Sequence, residues 1–390
     1  MSNWYEAKIK DFADVKGGKR LPKGKQLVKE PNNHPYIRIR DLGKTKYLQL
    51  TSEYEYVDDE TQQSISRYIV NKGDILISVV GTIGLIGIVG ATLDGANQTE
   101  NCDKIINITG VMPEYLYYYL KSNFGQDEIR KGTVGAVQPK LPLKNVQDIS
   151  VFYPPMEEQE RIVAILSAID EKIETNEAVN NNLEQQAQAI YQQMFIDNAR
   201  SNWAEGTLSD IADITMGQSP SGSSYNEDGT GTIFFQGRAE FGFRFPSVRL
   251  YTTEPKRMAR SNDTLMSVRA PVGDLNVAHT DCCIGRGLAA IHSKNNHQSF
   301  VLYTMFSLKK QLDVFNGEGT VFGSINRNSL NEMPILIPSS EKLDEFEALV
   351  SPMDAAIRNN YDEICRLEQL RDSLLLQLMS GELDVSDIDL

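Results

Sequence analysis

The feature that most constrains this chain is a seven-residue spacing sustained from Pro154 to Asp197. Ile162, Ile169, Leu183 and Ile190 form one apolar row, interrupted at Asn176, and Leu166, Ile173, Ala187 and Met194 form a second, interrupted at Asn180. A repeat of seven held this long marks a coiled-coil seam rather than one face of a globular helix. Two prolines open the stretch and Glu157, Glu158 and Glu160 follow at once. Acids there meet the positive end of the helix dipole, so both are start signals. The pattern predicts a helix over 154–200, roughly 60 Å long at about 1.5 Å per residue.

The same pattern returns 184 residues later without a gap: Pro154 matches Pro338, Asp170 matches Asp354 and Leu183 matches Leu367. The seam rows become Phe346, Met353, Leu367, Leu374 and Val350, Ile357, Ile364, Leu378, with Arg371 the one charged seam residue. This predicts a second long helix over 338–380, with Pro352 bending it or delaying its first turns. Few residues separate the first helix from the globular segment that follows, so the second helix can pack along the first only by running back. The pair is expected to be antiparallel, with Asn176 meeting Asn360 near a pseudo-twofold axis and fixing register. The other reading is that both amides face solvent.

A chain of 390 residues suggests two or three domains with sizeable cores. Residues 1–10 carry no secretory pattern, and the most apolar stretch, 74–91, is broken by four glycines, so neither export nor a membrane span is expected. Cys102, Cys282, Cys283 and Cys365 lack metal or disulfide spacing, which points to a reducing cytoplasm. A net charge of −14 argues against nucleic acid at first sight. Its distribution argues otherwise: +2 over residues 1–153, −6 over 154–200, −1 over 201–337 and −9 over 338–390. The acidity lies on the helices and the tail 381–390, leaving the globular segments free to carry basic patches.

Between Lys16 and Lys46 stand ten Lys or Arg against two acids. Strand-like alternation in Tyr36-Ile37-Arg38-Ile39-Arg40 places both arginines on one face, suited to phosphates or to guanine edges in a major groove. A solvated basic loop is the competing reading. Residues 72–90 read as two strands joined by a glycine turn. Residues 113–131 read as a helix crowded with Tyr115, Tyr117, Tyr118 and Tyr119, either core or a surface for stacking on bases. The second segment repeats this plan: 262–278 parallels 72–90, Asp74 matching Asp263, and the stretch around 318–337 parallels 131–155, Lys140 falling on Arg327. Its arginines are scattered rather than clustered.

With both helices and both frameworks assembled, the chain resembles the DNA-specificity subunit of a type I restriction–modification system. The resemblance rests on YPPMEEQERIVAILSAIDEKI at the first helix start, GDILIS with its glycine turn, and GTVGAVQPKL upstream of the helix, and it covers essentially the whole chain. The second copy departs from it: IPSSEKLDEFEAL has one proline and lacks the Glu-Gln pair. The resemblance implies an α+β fold in which two mixed target recognition domains, 1–153 and 201–337, are separated by the antiparallel coiled-coil helices 154–200 and 338–380, with an acidic tail at 381–390. Each domain would read one half of a split, asymmetric target on double-stranded DNA, and the helices would set the unread spacer. Two methyltransferase subunits would dock on this frame, and restriction subunits would join the full complex.

The residues expected to meet DNA are Lys19, Arg20, Lys23, Lys25, Arg38, Arg40, Lys44 and Lys140 in the first domain. In the second they are Arg238, Arg244, Arg257, Arg260, Arg269 and Arg327. The alternative is a coiled-coil scaffold or decoy that binds methyltransferase subunits without reading DNA. Motifs for chemistry are not found. Gly43-Lys44-Thr45 resembles the end of a phosphate-binding loop, but Arg38 stands where that loop needs glycine. His34, His279, His292 and His297 are too dispersed for a metal site, and Tyr153-Pro154-Pro155 belongs to the helix start rather than to a methyltransferase motif. No catalytic role, metal or cofactor is expected.

Overall fold

A computed structural model describes residues 4–200, 202–317 and 323–385. The chain folds as two compact units, one of residues 1–175 with 364–390 and one of residues 176–363. Each unit holds one globular segment together with part of both long helices.

In the first unit a five-stranded sheet runs in the order Asp14–Gly17, Cys102–Ile106, Ile75–Ser78, Ile86–Val89, Tyr47–Leu48, antiparallel except for its last pair. The expected strand pair within 72–90 forms at its centre, Ile75 facing Ile88 on one side and Ile105 on the other. Every residue of both strands is buried, so they read as continuous apolar runs rather than alternating ones. The turn between them uses Gly81 and Gly84 at φ +76 and +87, a left-handed backbone that other side chains resist. A smaller sheet holds Pro35–Ile37 between Glu55–Tyr56 and Asn97–Gln98. The tyrosine-rich helix divides into Pro113–Lys121 and Asn123–Gly132, because Ser122 is extended and turns its side chain to cap the second piece. Tyr115, Tyr117, Tyr118 and Tyr119 are all buried, which resolves the open reading in favour of core.

The second unit repeats this order with Ala212–Met216, Leu288–Ser293, Thr264–Ser267 and Leu275–Val277. Asp74 and Asp263 hold the same place: each accepts a backbone N–H three residues upstream, from Asn71 at 2.9 Å and from Arg260 at 2.8 Å. In both units a two-stranded ribbon, Tyr5–Lys8 with Ser150–Tyr153 and Ala204–Thr207 with Pro334–Ile337, ties the start of the globular segment to its end. The chain therefore enters each long helix from a fixed point. Residues 318–322, part of the expected second copy of the 131–155 stretch, lie outside the described residues, as do 386–390 of the acidic tail. The described part of that tail folds back: Leu383 packs on the first unit's core and Val385 is buried in it.

The long helices span Met156–Tyr191, continued by a wider turn over Gln192–Asp197, and Ser340–Met379. The second begins well before Pro352, so the proline lies inside the helix and does not delay its start. The seam residues Ile162, Leu166, Ile173, Ala187, Phe346, Val350, Ile357, Ile364 and Leu378 are buried. Within each unit the helices run antiparallel. Asn180 bonds to Asn360 and Asn176 to Glu363 in one unit, and Asp170 pairs with Arg371 in the other. Residue numbers fall along one helix as they rise along its neighbour.

The expected meeting of Asn176 with Asn360 does not occur. Asn360 donates to Asn180 Oδ1 at 2.9 Å, while Asn176 donates to Glu363 Oε2 at 2.8 Å. Reversing one helix sets each seam row against the opposite row of its neighbour, so Asn360 of one row faces Asn180 of the other. Asn176 is buried, and the partly buried Asn360 spends its amide on Asn180, so neither of the two is turned to solvent.

Candidate nucleic-acid interface

In the first unit the strand ends at Ile37, and Ile39–Asp41 forms a tight helical turn. Arg38 and Arg40 are therefore not alternate residues of one strand, as the sequence suggested. The Asp41 carboxylate accepts the Arg38 backbone N–H at 2.7 Å and draws the chain into the turn. Burial raises that carboxyl's pKa to about 6, against the opposing pull of Arg40 and Lys44. Both arginines nonetheless converge on one acid: Arg38 pairs with Glu55, and Arg40 Nη2 lies 3.9 Å from it while donating to the Glu53 carbonyl at 2.9 Å. Lys44 stands 3.9 Å from the Glu53 carboxylate.

The remaining cations of this stretch divide by partner. Arg20 pairs with Glu100 at 2.6 Å, and Lys25 reaches both Asp58 and Glu60. Lys19 lies over the Tyr68 ring, and Lys19 and Lys23 are exposed. Lys140 pairs through its backbone with Val134 and Val80, so the exposed loop carrying it lies against the glycine turn after Ile75–Ser78. Lys46, counted in the basic stretch, is buried; its Nζ donates to Ser167 on the first long helix at 2.7 Å and to the Tyr118 hydroxyl at 3.3 Å.

In the second unit Arg238 pairs with Asp274, and Arg260 approaches His292 at 3.4 Å. Arg257, Arg269 and Arg327 are exposed, Arg269 on the turn that matches the one near Lys140. Arg244 is a correction. It is 4 % exposed, and its guanidinium meets Glu184 at 3.0 Å, Asp354 at 3.1 Å and the Tyr303 hydroxyl at 3.0 Å. Unpaired, such a charge could not be buried; so paired, it cannot also meet a phosphate or a base.

Lys46 and Arg244 occupy the same place in the two units. Each offers its carbonyl to the glycine-turn strand pair, to Ile88 N–H at 2.9 Å and to Val277 N–H at 2.8 Å. Each lies over a buried tyrosine ring, Tyr118 and Tyr303. Each tyrosine hydroxyl donates to the aspartate of its long helix, Asp170 at 2.6 Å and Asp354 at 2.9 Å. Burial, with the neighbouring carboxylate, holds both hydroxyls well above the ordinary tyrosine range. The sequence pairs Asp170 with Asp354 and draws attention to Tyr118, but it gives no sign of Tyr303 and does not join the four residues.

The repeated architecture now decides the family, since one sequence family matches both copies. Residues 1–185 and 200–368 each match the type I restriction modification DNA specificity domain. The chain belongs to that family. A Methanocaldococcus jannaschii protein named as the specificity subunit of type I restriction enzyme MjaX is 29 % identical, over 98 % of this chain and 94 % of its own length. The MjaIX specificity subunit of the same organism is 25 % identical over 99 % and 95 %. The crystal structure of a type I restriction–modification S subunit from M. genitalium superposes with a TM-score of 0.61 at 17 % identity, covering 97 % of this chain and 96 % of that one, which supports the specificity-subunit fold.

Among the described residues no group of His, Cys, Asp and Glu could hold a metal ion, and no helix is long and apolar enough to cross a membrane. The four histidines each face a different aspartate: His34 with Asp59, His279 with Asp362, His292 with Asp263 and His297 with Asp344.

Proposed function

We propose that this chain is the DNA-recognition subunit of a type I restriction–modification complex, reading a two-part asymmetric target with one globular domain per half. The observation that carries this reading is the double family match, one per repeat, on a tandem framework whose exposed cations differ between copies. Like frameworks with unlike loops read unlike half-sites, much as a symmetric dimer reads like ones. The first domain reads with Arg38 and Arg40 and holds phosphates with Lys19, Arg20, Lys23, Lys25, Lys44 and Lys140. The second uses Arg238, Arg257, Arg260, Arg269 and Arg327. Arg244 takes no part.

The long helices set the unread spacer and seat two methyltransferase subunits, with restriction subunits joining the complete assembly in the cytoplasm. The chain itself positions DNA and performs no bond-making step. A family match in both globular domains favours a DNA reader over a decoy scaffold.

The test is a map of methylated bases in cells expressing the chain with its methyltransferase subunits, before and after residues 1–153 are exchanged for those of a relative. One half of the methylated motif should change and the other persist. A change in both halves, or no split motif at all, would refute the reading.

A further inference from the structure

In both units a buried cation, a tyrosine hydroxyl and a helix aspartate form one connected set. We infer that Lys46–Tyr118–Asp170 and Arg244–Tyr303–Asp354 are positioning clips that fix the angle between each recognition domain and its long helices, and so set which spacer lengths are accepted. This rests on the DNA-recognition reading above and adds residues that touch no DNA.

The geometry supports a clip over ordinary core packing in three ways. First, the members come from separate parts of each unit. Lys46 sits beside the central sheet, Tyr118 on the short helix Pro113–Lys121 and Asp170 on the long helix, and their counterparts repeat that division. Apolar packing alone is non-directional, whereas hydrogen bonds to a charged group fix both distance and angle. Second, the set recurs in the two domains although the cation has changed from Lys to Arg and the surrounding loops are unlike. Third, the long helices are held in both units. In the first, Arg371 joins Asp170 to the second long helix at 3.3 Å. In the second, Arg244 alone reaches Glu184 on one long helix and Asp354 on the other.

The two clips are therefore not equal. The first unit spreads its charge over Lys46 and Arg371; the second concentrates it on Arg244. Cavities lie beside both clips, one of about 230 Å³ lined by Tyr118, Lys121 and Arg371 and one of about 320 Å³ lined by Arg244, Asp354 and Arg358. With its charge resting on one side chain rather than two, the second unit should be the more sensitive to the loss of these bonds.

The experiment uses the full chain with its methyltransferase subunits and a duplex library in which both half-sites and the spacer between them vary. Tyr303→Phe removes one hydroxyl and keeps the ring. Its fold is checked by circular dichroism and its bound duplexes are sequenced. The expected result is unchanged base preference in both half-sites with relaxed spacing. Discrimination between the preferred spacer and one a base pair longer or shorter should fall about tenfold, the scale of one lost hydrogen bond to a charged group. Tyr118→Phe should give the same effect, but smaller. Spacing discrimination unchanged in a folded Tyr303→Phe protein overturns the proposal, and so does lost base preference in one half, which would make Tyr303 part of the reading surface. Should Tyr303→Phe fail to fold, Arg244→Lys gives the same readout, since an ammonium cannot fork to Glu184, Asp354 and Tyr303 together. A wild-type complex with no two-part preference would count against the recognition reading itself.

Discussion

Asn360 donates its side-chain amide to Asn180 at 2.9 Å inside a seam that is otherwise largely apolar. The two come from opposite seam rows of antiparallel helices, and Asn180 is almost fully buried. The bond answers each amide with the other, so removing one partner differs in kind from removing both.

Asn180→Leu or Asn360→Leu alone should lower stability by about 1–3 kcal/mol, the cost of leaving a buried amide unanswered. The double variant should be more stable than either single one, because leucine on both sides restores an apolar layer. Denaturant unfolding of the four proteins measures this. Additive effects would mean that the two amides are not coupled.

Arg244 and Arg257 are both arginines of the second domain and should behave as opposites. Arg244→Met leaves Glu184 and Asp354 without their cation and should destabilise the fold by about 3–5 kcal/mol. Arg257→Ala, at an exposed position, should shift stability by less than about 0.5 kcal/mol and weaken DNA binding instead. Thermal melts beside band shifts separate the two outcomes.

Arg38→Ala and Arg40→Ala should each cost about 1–3 kcal/mol of specific binding and relax the base preference of one half-site. Lys23→Ala should weaken binding to all sequences alike and reduce the salt slope by about one unit. Titrations at several salt concentrations, on target and scrambled duplexes, distinguish base readers from phosphate holders.

Burial pushes the Asp103 carboxyl up to about 6 from an ordinary 3.8, and Asp103 Oδ2 has no hydrogen-bond partner. The folded chain thus holds this proton more tightly than the unfolded chain does. The group's burial cost is absent below about pH 4 and complete above about pH 6, so its contribution to stability falls as pH rises through that window. Asp103→Asn should raise stability by up to about 3 kcal/mol at pH 7.5 and leave it unchanged near pH 4. Melting curves at the two pH values provide the check.

Much of the fold was legible because it rests on spacing. The seven-residue rows marked both helices, and the repeat offset marked the doubled plan, since each follows from which positions must be apolar. The site was less legible because charge alone does not say where a side chain points. Arg244 looked like one scattered cation among several. Of its two flanking aromatics Phe245 is buried and Phe243 exposed, so the flanks give no clear signal, and its partners Glu184, Tyr303 and Asp354 are distant in sequence, so only the fold assembles them. Arg38 and Arg40 alternate as strand residues do, yet Asp41 captures the Arg38 N–H and the strand ends at Ile37, before either arginine. Asn176 and Asn360 matched by offset, but the register sets unlike rows face to face, a relationship that the offset does not contain.

The way the first unit is assembled also bears on the order in which the chain matures. Its core includes Leu375, Leu378, Met379 and Val385, contributed from the far end of the polypeptide. The second unit, by contrast, is one uninterrupted stretch. On the ribosome the later half should therefore finish folding first. At about 5–20 residues per second the earlier half waits on the order of 10–40 s with Ile162 and Leu166 uncovered. During that interval apolar surface destined for the core stays exposed, and a chain cut before Ile364 would leave the first unit open.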